Sequence, residues 1–147
     1  MAHVEGEIFI RRPPEEVFDF VADERNEPGY NPRLARVEQL SDGPIGVGAR
    51  FHAELTTRRG PAPMTIERNR FERPSRLDSA TRMQSTQILG GLEFDPVDGG
   101  TRMRWLWEIK PLGGLRLLGP LISRIGRRQE HRTWSALKRR LEGAAPS

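Results

Sequence analysis

The sequence predicts an α+β domain in which a curved antiparallel sheet of about seven strands packs against one long C-terminal helix. The stretch Thr101–Lys110 alternates as a strand does. Its large apolar residues are Met103, Trp105, Trp107 and Ile109. The run Leu112–Glu142 then repeats apolar residues at helical spacing. Before both, short alternating segments are separated by tight turns, which allow only antiparallel pairing because a parallel crossover needs a dozen or more residues.

The first quarter of the chain predicts one strand and two short helices. Residues 3–10 alternate weakly and form the first strand. The Pro13-Pro14 pair ends that strand and begins a helix, since the missing N–H of proline would be unpaired in a first helical turn anyway. This helix is expected to end near Asp23. A second short helix is expected over Arg25–Asn31, because Pro32 pushes the residue before it out of the helical region.

The middle of the chain has a period of two and predicts six further strands. They are Leu34–Leu40, Gly48–Thr57, Met64–Arg73, Leu77–Met83, Thr86–Phe94 and Thr101–Lys110. The connection Asp95–Gly100 favours a hairpin, since its glycines can adopt positive φ. The predicted order is therefore one strand, two helices, six strands and one helix.

Length and composition bound the class of protein. A chain of 147 residues suits one domain, expected over residues 1–142 with a disordered tail over 143–147. Cysteine is absent, so disulfides and thiolate chemistry are excluded, and the N-terminus lacks a signal-peptide pattern. No apolar run approaches the ~18 residues of a membrane span. We therefore expect a soluble, cytoplasmic protein without stable membrane insertion.

The net charge of +4 comes almost entirely from arginine. The arginines are dispersed among acidic residues, and no aromatic residues are interleaved with them as stacking platforms, so nucleic acid is not an expected partner. Arg124, Arg127 and Lys138 are expected on the outer face of the long helix. They leave open an interaction with an acidic partner or a membrane surface.

Several short segments, in this order along the chain, carry a family resemblance. They are Ile10–Asp23, Gly46–Phe51, Arg73–Leu77, Gly99–Met103 and Leu137–Glu142. Across Ala2–Glu142 the chain resembles the START/Bet v 1-like superfamily (SRPBCC), and most closely its bacterial polyketide cyclase/dehydrase-type members. The resemblance implies the helix-grip fold, with an apolar cavity between sheet and C-terminal helix that holds lipids, sterols, polyketides or other aromatic or acyl ligands. The chain departs from the pattern at Tyr30, where many relatives carry tryptophan, and at Arg12, where a serine or threonine cap is common.

The expected cavity wall combines the concave face of the sheet with the helix. The candidate ligand contacts are Tyr30, Phe51, Leu55, Leu92, Phe94, Trp105, Trp107, Leu121, Ile125, Gln129 and Thr133. Leu121 and Ile125, together with Leu118, are expected to roof the cavity, and the later apolar residues of the helix to anchor it on the sheet. Gln129 lies between apolar neighbours, where an unpaired amide costs roughly 1–3 kcal/mol. It is therefore expected either to contact the ligand or to bond the sheet.

No metal site or cofactor is expected, and catalytic residues stay unknown from the sequence. The three histidines are dispersed, and no nucleotide-binding glycine pattern is present. Alternation directs Glu54, Glu93 and Glu108 outward, so the sequence identifies no general base. The leading function is binding of a small hydrophobic ligand, such as a lipid, sterol-like or polyketide compound. The alternative is an aromatase/cyclase-type enzyme acting in the same cavity. Ligand identity and oligomeric state stay open.

Overall fold

The computed structural model describes residues 2–84, 86–111 and 119–143. The elements along the chain are β1 (Ala2–Ile10), α1 (Pro14–Ala22), a 3-10 helix (Glu24–Gly29), β2 (Leu34–Gln39), β3 (Arg50–Thr57), β4 (Gly60–Glu72), β5 (Arg76–Met83), β6 (Thr86–Val97), β7 (Gly100–Pro111) and α2 (Gly119–Gly143). The predicted order of one strand, two short helices, six strands and one long helix is confirmed. The expected helical start at Leu112 and residues 144–147 of the expected tail lie outside the described residues, whereas Gly143, also expected in the tail, is the last residue of α2.

The seven described strands form one antiparallel sheet in the order β1-β7-β6-β5-β4-β3-β2. Strands β2 to β7 follow one another as neighbours, as their short turns require. β1 pairs with β7, so the first and last strands meet. The register shifts between Leu34 and Arg36 in β2 and between Arg68 and Arg70 in β4, and irregularities of this kind bend a sheet locally.

Two strands extend by three or more residues beyond the bounds predicted from the sequence. β4 begins at Gly60 rather than Met64, although Pro61 and Pro63 lie within the added residues. Up to Pro63 this strand pairs with β3 alone, because its pairing with β5 starts at Met64. Proline is tolerated on such an edge, since its missing N–H can face the unpaired side. β6 likewise continues three residues past Phe94.

The second short helix is a 3-10 helix, Glu24–Gly29, and not the predicted segment Arg25–Asn31. The Asp23 carboxylate caps it by accepting a hydrogen bond from the Arg25 backbone N–H at 3.1 Å. With three residues per turn, side chains three apart lie on the same side of such a helix. Glu24 and Glu27 therefore project together, and both face the concave side of the sheet, where they line the cavity described below.

The face of α2 that contacts the sheet differs from the predicted one. Leu121 and Ile125 are 51% and 46% exposed. At Gly126 the helix lies so close to β1 that an added Cβ would be 2.8 Å from Val4 Cγ2. This close approach turns the neighbouring residues away from the sheet, so the structure does not place Leu121 and Ile125 over the cavity. Leu118, the third expected roof residue, falls outside the described residues.

Two apolar clusters fill the space between the helices and the sheet. The larger cluster joins α1, α2 and the β5–β7 side of the sheet, and its members include Val17, Phe18, Phe94, Trp134, Leu137 and Leu141. The last three anchor α2, as the sequence predicted. The smaller cluster lies at the β2–β4 side and consists of Leu34, Ala49, Phe51, Ala53 and Ile66, with four partly buried neighbours.

Candidate functional site

A cavity of about 170 Å³ lies on the concave face of the sheet beneath α2. Its wall includes Leu34, Leu55 and Ile66 on the side of the smaller apolar cluster, and Leu77, Leu92 and Trp134 on the side of the larger one. The cavity therefore separates the two clusters. A mostly apolar pocket with a few polar groups is the usual form of a small-molecule site.

The central charged group of the cavity wall is Arg68, which is only 3% exposed. Its Nη2 donates hydrogen bonds to Glu24 Oε1 at 2.7 Å and to the Ala22 carbonyl at 2.9 Å. Its Nη1 donates to the Ser79 hydroxyl. Arg68 thus ties β4 and β5 to the end of α1 and to the 3-10 helix, and a buried charge needs such partners.

The ion pair between Arg68 and Glu24 is incompletely satisfied. Glu24 is 7% exposed, and its Oε2 has no hydrogen-bond partner in the described part of the chain. The Nε of Arg68 also has none. A buried polar atom left unpaired costs about 1–3 kcal/mol, more for a charged group. Such atoms are therefore unusual in a wall that serves only for packing.

Glu130 lies on α2 opposite this pair and lines the same cavity. Its Oε2 accepts hydrogen bonds from two indoles, from Trp107 Nε1 at 3.2 Å and from Trp134 Nε1 at 2.6 Å. Burial raises the pKa of Glu130 above its ordinary value, and the two indole hydrogen bonds oppose that shift. The result is a carboxyl group held in a fixed orientation by two aromatic donors.

Glu27 completes the acidic side of the cavity. Burial raises its pKa well above the ordinary value, and the nearby carboxylates of Glu24 and Glu130 raise it further. A hydrogen bond from Asn31 Nδ2, at 3.3 Å, opposes the shift only in part. Three carboxyl groups thus share one small space, and like charges held this close cannot all ionise freely.

Gln129 has a partner that the sequence did not suggest. Its Oε1 accepts a hydrogen bond from Arg33 Nη1 at 2.9 Å, while its side chain lines the cavity. The amide therefore joins α2 to the segment between the 3-10 helix and β2. Gln129 therefore binds the guanidinium of Arg33 and not the sheet, which was one of the two expected roles. It also lines the cavity, so it remains able to contact a ligand.

The structure brings together only part of the predicted set of ligand contacts. Leu55, Leu92, Trp107, Gln129 and Thr133 line the cavity. The buried residues Phe51 and Phe94 belong to the two apolar clusters instead. Tyr30 is also buried, and its hydroxyl has no partner among the described residues. Leu121 and Ile125 are exposed, as described above.

Trp105 is buried but lies outside the cavity wall, because its ring packs against β1 and α2. An added Cβ at Gly6 would lie 2.5 Å from Trp105 Cζ2, so only glycine leaves room for the indole there. The ring centroids of Trp105 and Trp134 are 6.2 Å apart. The cavity is lined instead by Trp107, which lies two residues further along β7.

Sequence reasoning missed the charged residues of the cavity. These are Glu24, Glu27, Arg33, Arg68 and Glu130. One signal was available: Arg68 has the same parity along β4 as the inward residues Met64 and Ile66. The sequence identified no titratable group inside the cavity, whereas the structure places Glu130, a carboxyl group with a raised pKa, in its wall. Among the described residues, no group of three potential ligands could hold a metal ion. In the same part of the chain, no helix is long and apolar enough to cross a membrane.

The sequence and the fold of this chain resemble those of known proteins. It belongs to the family described as polyketide cyclase/dehydrase and lipid transport, whose family model matches residues 1–142. This is the family predicted from the sequence segments. No curated protein matches the sequence.

Solved structures agree with that assignment. A START superfamily protein from Mycobacterium smegmatis has a TM-score of 0.85 at 11% identity, covering 99% of this chain and 100% of that chain. The protein TTHA0849 from Thermus thermophilus has a TM-score of 0.82 at 18% identity, covering 98% and 99%. The di-domain ARO/CYC BexL of the BE-7585A biosynthetic pathway has 0.76 at 22% identity, covering 97% of this chain and 47% of that one. At these identities the likeness shows the fold, which is the START/Bet v 1 helix-grip fold.

The buried ion pair yields a stability prediction. Arg68→Leu leaves the Glu24 carboxylate buried without its partner, and breaking such a pair costs about 3–5 kcal/mol. Urea denaturation should show this loss, and the double variant Arg68→Leu/Glu24→Leu should recover a large part of it. The control is Arg104→Leu, which removes exposed ion pairs with Glu93 and Asp95 and should change stability little. An equal loss in Arg68→Leu and Arg104→Leu would contradict the role given to Arg68.

Proposed function

We propose that this protein binds a compact, mostly apolar small molecule in the cavity between the sheet and α2. The observation that carries the proposal is a cavity between two apolar clusters whose wall also contains five charged side chains. The apolar residues would cover the body of the ligand. Glu27, Gln129, Glu130 and Thr133 would contact its polar end. The cytoplasmic location expected from the sequence belongs to the same proposal.

The size of the cavity narrows the ligand class. A dry apolar cavity of roughly 150 Å³ is large enough to bind benzene. The cavity here, at about 170 Å³, suits one ring with a short substituent. Sites for drug-sized ligands measure roughly 300–1,000 Å³. Of the ligands that the resemblance implies, a compact aromatic compound therefore fits better than a sterol or a long acyl chain.

Family membership supports the same class of function. The family description joins polyketide cyclases, dehydrases and lipid transport, and all of these act on largely apolar molecules. One of the structural neighbours is named as an ARO/CYC of a biosynthetic pathway. Binding of an apolar molecule is common to these activities, so it is the first function to test.

A cavity-filling substitution tests this proposal directly. Thr81→Phe places a ring in the cavity from β5, and we expect it to weaken binding of fluorobenzene at least about tenfold, because packed interiors have no spare room for a second ring. Fluorine NMR titration measures the affinity. Thr65→Phe is the matched control, since Thr65 is exposed on neighbouring β4 and should leave binding unchanged. If fluorobenzene does not bind the wild-type protein, or if Thr81→Phe binds it equally well, the cavity is not a ligand site.

A second candidate function is a cyclase-type enzyme, and Glu130 is the observation that favours it. A general base works best when its pKa is close to the working pH, and burial moves the pKa of Glu130 in that direction. Its Oε2 is occupied by the two indoles, whereas no described residue donates a hydrogen bond to Oε1. Oε1 could take a proton from carbon next to a ligand carbonyl and return it to the product, as aldol-type ring closure requires.

Proton exchange tests this second function without knowledge of the natural substrate. In deuterated water, wild-type protein should speed exchange of the benzylic protons of phenylacetone, and the rate should rise as the pH passes through the raised pKa of Glu130. Glu130→Gln should lower the protein-dependent rate by about a hundredfold or more. Glu67→Gln, an exposed change of the same kind, should have no effect. Equal exchange rates in the wild type and Glu130→Gln would exclude Glu130 as the base, and fluorobenzene binding would still report on the cavity.

A further inference from the structure

We propose that the ligand of this cavity carries a basic nitrogen, which binds as an ammonium group among Glu27, Glu130 and the indoles of Trp107 and Trp134. The inference rests on the proposed function and adds the charge and hydrogen-bonding character of the ligand's polar end. It commits to a compact apolar amine over an alcohol or a carboxylic acid of the same shape.

The cavity wall contains more acidic than basic side chains. Its wall contains three carboxyl groups, those of Glu24, Glu27 and Glu130, and two guanidinium groups, those of Arg33 and Arg68. Arg68 is committed to Glu24, to the Ser79 hydroxyl and to the Ala22 carbonyl. Arg68 is therefore paired as a cation with Glu24, and Arg33 Nη1 donates to Gln129 Oε1. Carboxyl groups outnumber guanidinium groups in the wall, which favours a cationic ligand over an anionic one.

The carboxyl groups of the cavity have oxygens that are free to accept hydrogen bonds from a ligand. Glu27 Oε2 accepts from Asn31, and Glu130 Oε2 accepts from the two indoles. The other oxygen of each carboxyl group receives no hydrogen bond from the described residues. Glu24, which is 7% exposed, lines the same cavity and also has an unpartnered oxygen. A primary ammonium group offers three N–H donors, whereas a hydroxyl offers one.

Two tryptophan side chains lie beside Glu130. Trp107 and Trp134 both line the cavity, and both direct their N–H groups at Glu130. Indole faces attract cations through the ring quadrupole, and tryptophan is the best of the aromatic residues in this respect. An ammonium group bound at Glu130 would therefore have two indoles beside it.

The protonation state of Glu27 should change when an amine binds. In the empty cavity Glu27 is held towards its protonated form by burial and by the neighbouring carboxylates of Glu24 and Glu130, with Arg68 acting in the opposite direction. A bound ammonium group favours the ionised carboxylate, so it lowers the pKa of Glu27. Binding of an amine should therefore release a proton to the solvent, and binding of a neutral compound should not.

Three probes that share a phenylethyl group test the inference. They are 2-phenylethylamine, 2-phenylethanol and 3-phenylpropionate, titrated into the 147-residue protein by isothermal calorimetry near neutral pH. We expect the amine to bind at least about tenfold more tightly than the alcohol, and the carboxylate to bind most weakly. Repeating the amine titration in buffers of different ionisation enthalpy should show proton release that the alcohol does not show.

Matched variants assign the effect to Glu27. Glu27→Gln keeps the shape of the side chain and should reduce the amine-to-alcohol preference to about one, with loss of proton release. Glu67→Gln makes the same change on an exposed part of β4 and should retain both. Because Glu27 also accepts from Asn31, circular dichroism must show that Glu27→Gln is folded. If that variant fails to fold, the probe preference and proton release of the wild type still decide the question.

The outcomes separate this inference from the proposed function. Tighter binding of the amine with proton release supports both. Equal or tighter binding of the alcohol or the carboxylate overturns the ammonium site and leaves the cavity as a binding site for apolar ligands. Failure of all three probes and of fluorobenzene to bind overturns the proposed function, and this inference with it.

Discussion

The buried ion pair between Arg68 and Glu24 is the interaction on which the rest of the cavity depends. Arg68 occupies a position on β4 where Met64 and Ile66 would be continued by another apolar residue in a closed core. Its guanidinium binds the end of α1, the 3-10 helix and β5 at once. A buried ion pair is a weak source of stability, because desolvation offsets much of the attraction. We therefore regard its role as shaping the site, since it holds the carboxyl-bearing 3-10 helix over the open side of the sheet.

The electrostatics of the cavity follow from that arrangement. Once Glu24 is fixed beside Arg68, the 3-10 geometry brings Glu27 to the same side of its helix. Glu130 then approaches from α2 and is oriented by two indoles. Burial raises the pKa of Glu27, and the carboxylates of Glu24 and Glu130 raise it further. The cavity wall therefore combines apolar side chains with three carboxyl groups, a combination that gives orientation as well as affinity to a small ligand.

The sequence was sufficient to predict the architecture because periodicity reports directly on burial. The seven strands and the long helix repeat their apolar residues at the intervals that a half-buried strand or helix requires. The anchoring residues Trp134, Leu137 and Leu141 were predicted for the same reason. The contact face of the first half of α2 was not, because it depends on the close approach of Gly126 to Val4, which is a tertiary contact. Periodicity alone would have turned Leu121 and Ile125 inward.

The candidate site was harder to predict than the fold, for a physical reason. Leu55, Leu92 and Trp107 were accessible to alternation, since inward-facing residues of a strand share one parity. Glu24 and Glu27 lie in a short helix whose 3-10 winding the sequence did not reveal. Glu130 looks like an ordinary charged residue of a surface helix until the indoles of Trp107 and Trp134 are seen to meet at its carboxyl group.

The most direct measurement is a crystal structure of the protein grown with 2-phenylethylamine. We expect density for the ring beside Leu92 and Trp107, with its nitrogen within hydrogen-bonding distance of Glu27 or Glu130. A cavity that contains only water or collapsed side chains, with the amine bound elsewhere or absent, would contradict the claim that this cavity binds a compact amine.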